Sequence, residues 1–95
     1  MIKDISSEVE FYSAIAHGLT FSDFYADWCG PCKMMEPAIK QLDDAYHEKV
    51  NFVKVDTDKY PQIAQRYGIS SIPRFIIFKD GKPVDEVMGA VSKSK

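Results

Sequence analysis

Asp23–Lys33, DFYADWCGPCK, holds both cysteines of a 95-residue chain, two residues apart. Three chemistries use such a pair. As a structural staple it is poor, because so short a loop constrains the unfolded chain very little. As half of a zinc site it lacks company: structural zinc commonly takes two close pairs of Cys or His, and here His17 and His47 stand alone near the ends of separate helical segments. As a redox pair it is well placed. The apolar segment before it reads as a strand running into Cys29, and Pro31 suits the first turn of a helix. A sulfur at a helix start meets unpaired amides and the positive end of the dipole, so Cys29 ionises more readily than a free thiol. Cys32, one turn on, is positioned to attack a mixed disulfide formed by Cys29. Gly30 permits a tight entry, and Pro31 stiffens it.

Working outward, Ile2–Ile5 reads as a short strand and Ser6–Gly18 as a helix. Ser7 and Glu10 have capping-box spacing, and Phe11 and Ile15 lie a turn apart. Leu19–Tyr25 is the strand entering the cysteines, with Leu19, Phe21, Asp23 and Tyr25 on one face. The helix from Pro31 to Tyr46 shows a stripe of Met35, Ala38, Ile39, Leu42, Ala45 and Tyr46, with Pro37 inside it. Val50–Asp56 is a strand, a short helix starts near Pro61 and closes at Gly68, and Phe75–Phe78 is an apolar strand. Asp80-Gly81 is a hairpin signal, with Pro83–Gly89 returning. The order predicts an α/β fold: a mixed sheet, a βαβαβ unit and then αββ, with helices on both faces. One domain over residues 1–95 is expected from the length.

Hydrophobic residues make up 45% of the chain and charged ones 27%, a globular balance. The net charge of −2 supplies no basic face for phosphates, so no nucleic-acid partner is expected. No apolar run reaches spanning length, and the start, MIKDISSEVE, lacks a secretory core. The expectation is a soluble cytoplasmic protein without a membrane partner.

WCGPCK after a strand, the MMEP helix, VKVDTD, YGISSIP and the late KDGK…GA resemble the thioredoxin family in order and spacing, from about Ser7 to Ser94. Two positions are chemically odd before that resemblance is used. Asp23 lies mid-strand between Phe21 and Tyr25, where an ionised carboxylate is costly unless paired. It is either a solvated edge acid or a buried acid of raised pKa that accepts and returns the Cys32 proton. Lys54 shares a strand face with Val50 and Phe52, and its stem either reaches water or pairs with an acid.

The resemblance implies a proton-handling role for Asp23 with Lys54 paired to it. It makes Trp28 part of the substrate surface beside Gly30 and Pro31. It implies a cis Ile72–Pro73 bond against the sulfurs, with the Ile72 backbone pairing to an extended substrate and Gly89 and Ala90 completing the groove. Arg74 departs from the family's usual threonine. It either points away, or reaches Cys29 and stabilises its thiolate.

The implied activity is thiol–disulfide oxidoreduction, in which a Cys29–Cys32 dithiol reduces disulfide-containing proteins. No cofactor is expected in the chain; electrons come, by resemblance, from a flavin-containing, NADPH-dependent thioredoxin reductase. The alternative is a thioredoxin-like binding or scaffold subunit with incidental redox activity. Family members usually continue into a final helix beyond this region. One sheet face is therefore expected to keep an apolar patch, open to self-association or a partner.

Overall fold

Strand β2 (Leu19–Tyr25), which leads into the cysteines, is the middle strand of a five-stranded sheet. The computed structural model describes residues 2–88. Around β2 it places β1 (Ile2–Asp4), α1 (Glu8–Ile15), α2 (Gly30–Tyr46), β3 (Val50–Asp56), α3 (Pro61–Arg66), β4 (Arg74–Lys79) and β5 (Lys82–Met88). The strand order is β1-β3-β2-β4-β5. β1, β3 and β2 run parallel, whereas β4 and β5 are antiparallel additions. This is the mixed sheet that the element order predicts.

Local signals explain the element ends. Ser7 Oγ accepts the Glu10 amide at 3.0 Å and caps α1. The Glu10 carboxylate accepts from the Ser6 amide at 2.7 Å, so the capping box closes one residue earlier than the motif implies. Asp80 (φ 49°) and Gly81 (φ 88°) are both left-handed, as the tight turn between twisted antiparallel strands requires. Asp80 also accepts the Gly18 amide at 2.8 Å, fixing this turn beside the start of β2.

Strand alternation sends side chains to two unlike layers. On one face Phe24, Val53, Val55, Ile76 and Phe78 pack with Phe11 and Ile15 of α1 and Ile63 of α3. On the other, Phe52 and Phe75 pack with Ile39 of α2. The predicted α2 stripe needs correction at its end. Ala45 and Tyr46 are exposed, and Asp43 is buried instead. Cys32, Ile39 and Asp43 are the buried positions of this helix; from Ile39 the contact line steps four residues to Asp43 and leaves the last turn outside. A groove of about 250 Å³ remains beside that turn, lined by Leu19, Phe21, Leu42, Tyr46, Val50, Phe52 and Ile77.

Candidate active site

Cys29 is the N-cap of α2 and Cys32 lies in its first turn. They form a disulfide, with Cα atoms 5.3 Å apart, and Cys29 Sγ accepts the Cys32 amide at 3.1 Å. The helix start therefore directs a donor at the Cys29 sulfur, the arrangement that favours a thiolate once the bond opens. Both sulfurs lie largely out of solvent: Cys29 is 3% exposed and Cys32 5%. Tyr25, Ala26 and Ile72 pack around the pair. The Ile72–Pro73 bond is cis, and Pro73 is buried.

Trp28 is not core. It is 71% exposed, and its Nε1 donates to Asp58 Oδ2 at 2.8 Å. Asp58 is held in turn, because its amide donates to the buried Asp56 carboxylate at 2.9 Å. Gly30 has no positive φ, and a Cβ there would meet nothing within 4 Å. The backbone therefore does not demand glycine for the helix entry; the position opens onto free space. Gly89 and Ala90 lie outside the described residues.

Asp23 stands opposite Lys54 on β3 and Phe75 on β4. It is 4% exposed, on the face turned to α2, and shares a cavity of about 130 Å³ with Cys32. Burial raises its pKa to about 7; the Lys54 charge opposes that rise, and Glu36 and Asp4 add to it. The solvated-edge reading of Asp23 thus gives way to a buried acid that is half protonated near neutrality.

The direct Lys54–Asp23 pair is a different matter. The Lys54 ammonium lies 3.9 Å from Glu36 Oε2 and 4.3 Å from the Tyr25 ring centre. The charge is thus paired with Glu36 rather than with Asp23, and the side chain stays 23% exposed, so water still reaches it. Tyr25 adds a hydroxyl that donates to both Asp4 carboxylate oxygens at 3.0 and 3.1 Å. Burial and that hydrogen bond push the Tyr25 pKa upward.

Arg74 turns away from this face. Nε and Nη2 bind Glu86 Oε2 at 2.8 and 2.7 Å, and Nη1 donates to the Gly68 carbonyl at 3.2 Å. Alternation along β4 puts Arg74 on the side of Ile76, with α1 and α3, so the guanidinium is committed to β5 and the turn after α3. Among the described residues no three His, Cys, Asp or Glu side chains converge as a metal set, and no helix is long and apolar enough to cross a membrane.

The Thioredoxin family model matches residues 3–95. The chain belongs to the thioredoxin family. It is 50% identical over 93 residues to thioredoxin of Chlamydia caviae, covering 98% of this chain and 89% of that one. Thioredoxin of Staphylococcus aureus is 43% identical over 83 residues, covering 87% and 80%. Among solved structures, Malassezia sympodialis thioredoxin superposes with a TM-score of 0.90 at 41% identity, covering 95% of this chain and 82% of that one. A structure concerned with thiol resolution in yeast mitochondrial 1-Cys peroxiredoxin via glutathione/thioredoxin systems gives 0.88 at 37% identity, covering 98% and 87%. Membership and the Cys29–Cys32 disulfide make this thioredoxin-family chain a disulfide oxidoreductase.

Sequence reasoning missed three members of the site. Glu36 follows Cys32 by four residues, hence on the same helix face, a readable signal. Asp4 is opposite Lys54 in the β1–β3 register, which only the sheet order reveals. Asp58 closes the VKVDTD stretch that carries the resemblance, but nothing in the sequence pairs it with Trp28.

Proposed function

We propose that this thioredoxin-family protein reduces protein disulfides, with Cys29 attacking, Cys32 resolving and Asp23 handling the proton. The Cys29 thiolate attacks one sulfur of the substrate disulfide; the other leaves as a thiolate and takes a proton from water. Cys32 gives its proton to Asp23 and attacks Cys29 Sγ, releasing the second substrate thiolate. Two electrons have then moved to the substrate, and the protein holds the Cys29–Cys32 disulfide. The observation that carries this reading is that disulfide at the start of α2, with a buried carboxyl sharing the Cys32 cavity.

Trp28, Gly30, Pro31 and Ile72 form the substrate surface over the buried Pro73, and Gly89 and Ala90 complete it. The open space at Gly30 supports this, because a side chain there would meet an approaching partner. Lys54 tunes Asp23. Arg74 braces β4 and β5 ahead of the substrate loop. The substrates are disulfide-bearing proteins, with oxidised peroxiredoxin-type thiols in the same class. Re-reduction comes from a flavin-containing thioredoxin reductase in the cytoplasm. A second copy of the chain is the occupant of the groove beside α2, since its lining is apolar throughout and Leu19 and Tyr46 remain 38% and 53% exposed at its border.

Insulin reduction by dithiothreitol, followed by turbidity, tests the activity. The protein accelerates precipitation, Cys29→Ser abolishes the effect, and Cys32→Ser accumulates mixed disulfides. No acceleration, with partner binding indifferent to Cys29→Ser, leaves the scaffold reading standing instead.

A further inference from the structure

Asp23 and Lys54 face each other across adjacent parallel strands, yet the lysine makes its ion pair with Glu36. Two cavities explain how. One, about 130 Å³, includes Cys32; the other, about 240 Å³, includes Ile39 and Lys40. Asp4, Asp23, Glu36 and Lys54 line both, so each of the four charges borders water-sized space. Glu36 is 57% exposed at its side chain and Lys54 only 23%, so the carboxylate is the more solvent-open member of the pair. The Tyr25 ring supplies a second attraction, with the ammonium 4.3 Å from its centre. Tyr25 is itself fixed through its hydroxyl by Asp4.

We propose that Glu36 is a positioning residue for the thiol–disulfide chemistry: its carboxylate anchors the Lys54 ammonium at the cavity mouth and so keeps that charge from closing on Asp23. The proposal rests on Asp23 carrying the Cys32 proton. A lysine closed onto Asp23 would hold the carboxyl ionised and make it a weaker proton acceptor. With the ammonium anchored outward, burial dominates and the acid stays able to exchange near neutral pH. The other charged groups facing this space are Asp4 from β1, Asp27 before the cysteines, and Lys33 and Lys40 from α2. Lys33 and Lys40 are exposed on the same helix as Glu36 and Asp27 on the loop before it, so they are screened by water, whereas Lys54 is half-buried.

The test is a carbon-13 titration of the Asp23 carboxyl in the reduced protein, its signal assigned by its loss in Asp23→Asn. In Glu36→Gln the midpoint falls by on the order of one pH unit, the pH of half-maximal mixed-disulfide resolution falls with it, and Glu36→Asp recovers part of the shift. In a Lys54→Met background the same Glu36→Gln change moves the midpoint less than half as far. A midpoint that does not move in Glu36→Gln overturns the proposal. So does an equal shift with and without Lys54, since Glu36 would then act through its own field alone. If Asp23→Asn leaves the resolution profile unchanged, Asp23 is not the proton carrier, and the proposal falls with that reading. A flat Glu36→Gln titration beside an altered Asp23→Asn profile overturns the proposal alone.

Discussion

The two faces of the sheet are built to different rules. Under α1 and α3, Phe11, Phe24, Val55, Ile63 and Phe78 are fully buried, and Phe11 meets Phe24, Phe78, Tyr12 and Tyr67 edge to face. Under α2, the same strands bring Asp23 and Lys54 inward, leave a water-sized space beside Cys32, and end in an open apolar groove. One face is packed for stability. The other holds charge and space near a disulfide, features that lower stability and permit proton movement.

The largest test of this contrast is truncation. Phe24→Ala loses about 3–5 kcal/mol in denaturant unfolding, because the closed layer leaves a cavity that cannot collapse. Leu42→Ala, at the groove wall, loses no more than about 1 kcal/mol, since part of its surface is already wet. Equal losses at both positions would erase the distinction.

Next is Asp23. Its folded pKa of about 7 lies above the ordinary 3.8, so the folded state holds the proton more tightly than the unfolded chain. The contribution of Asp23 to stability is therefore greatest below pH 3.8, declines as pH rises toward about 7, and then levels. Asp23→Asn removes that decline. It stabilises the protein at pH 8 by up to about 4 kcal/mol and by little at pH 4. Melting or denaturant curves at the two pH values read the difference, and a variant no more stable at pH 8 than at pH 4 contradicts it.

Arg74 sharpens the boundary between the faces with a smaller effect. Arg74→Thr removes the Glu86 and Gly68 contacts and costs about 1–2 kcal/mol, the scale of charged hydrogen bonds at a half-buried site. Because the guanidinium lies on the α1–α3 side, the alkylation midpoint of Cys29 stays in place. A movement of that midpoint returns Arg74 to the active site. Smallest is Tyr25→Phe, which loses one part-buried hydrogen bond, about 1 kcal/mol, and keeps the aromatic packing around the cysteines.

Much of this contrast was legible in the chain. Short apolar runs bounded by turn residues located the strands, with Phe75–Phe78 unbroken because both sheet faces are covered, and Asp80-Gly81 announced its hairpin. Asp23 was visible as a charge on an apolar strand face. The partnerships were harder. Lys54 shares a register with Asp23, but a four-carbon stem decides where its charge goes, and that depends on Glu36 of a helix distant in sequence. Arg74 was ambiguous for the same reason: the strand limit near Pro73 left its face undecided until Gly68 and Glu86 were placed. The exposed last turn of α2 followed from its contact line reaching Asp43, which no apolar count would select.

The central claim is that Asp23 takes the proton that frees Cys32 to resolve the mixed disulfide. The direct measurement is the rate of that resolution, from a preformed Cys29 adduct with a chromogenic thiol, across pH 5 to 9 in the native protein and in Asp23→Asn. The native rate should rise through a midpoint near 7, tracking ionisation of the buried acid, and Asp23→Asn should lose that inflection and be slower at neutral pH. Superimposable profiles from the two proteins would contradict the account.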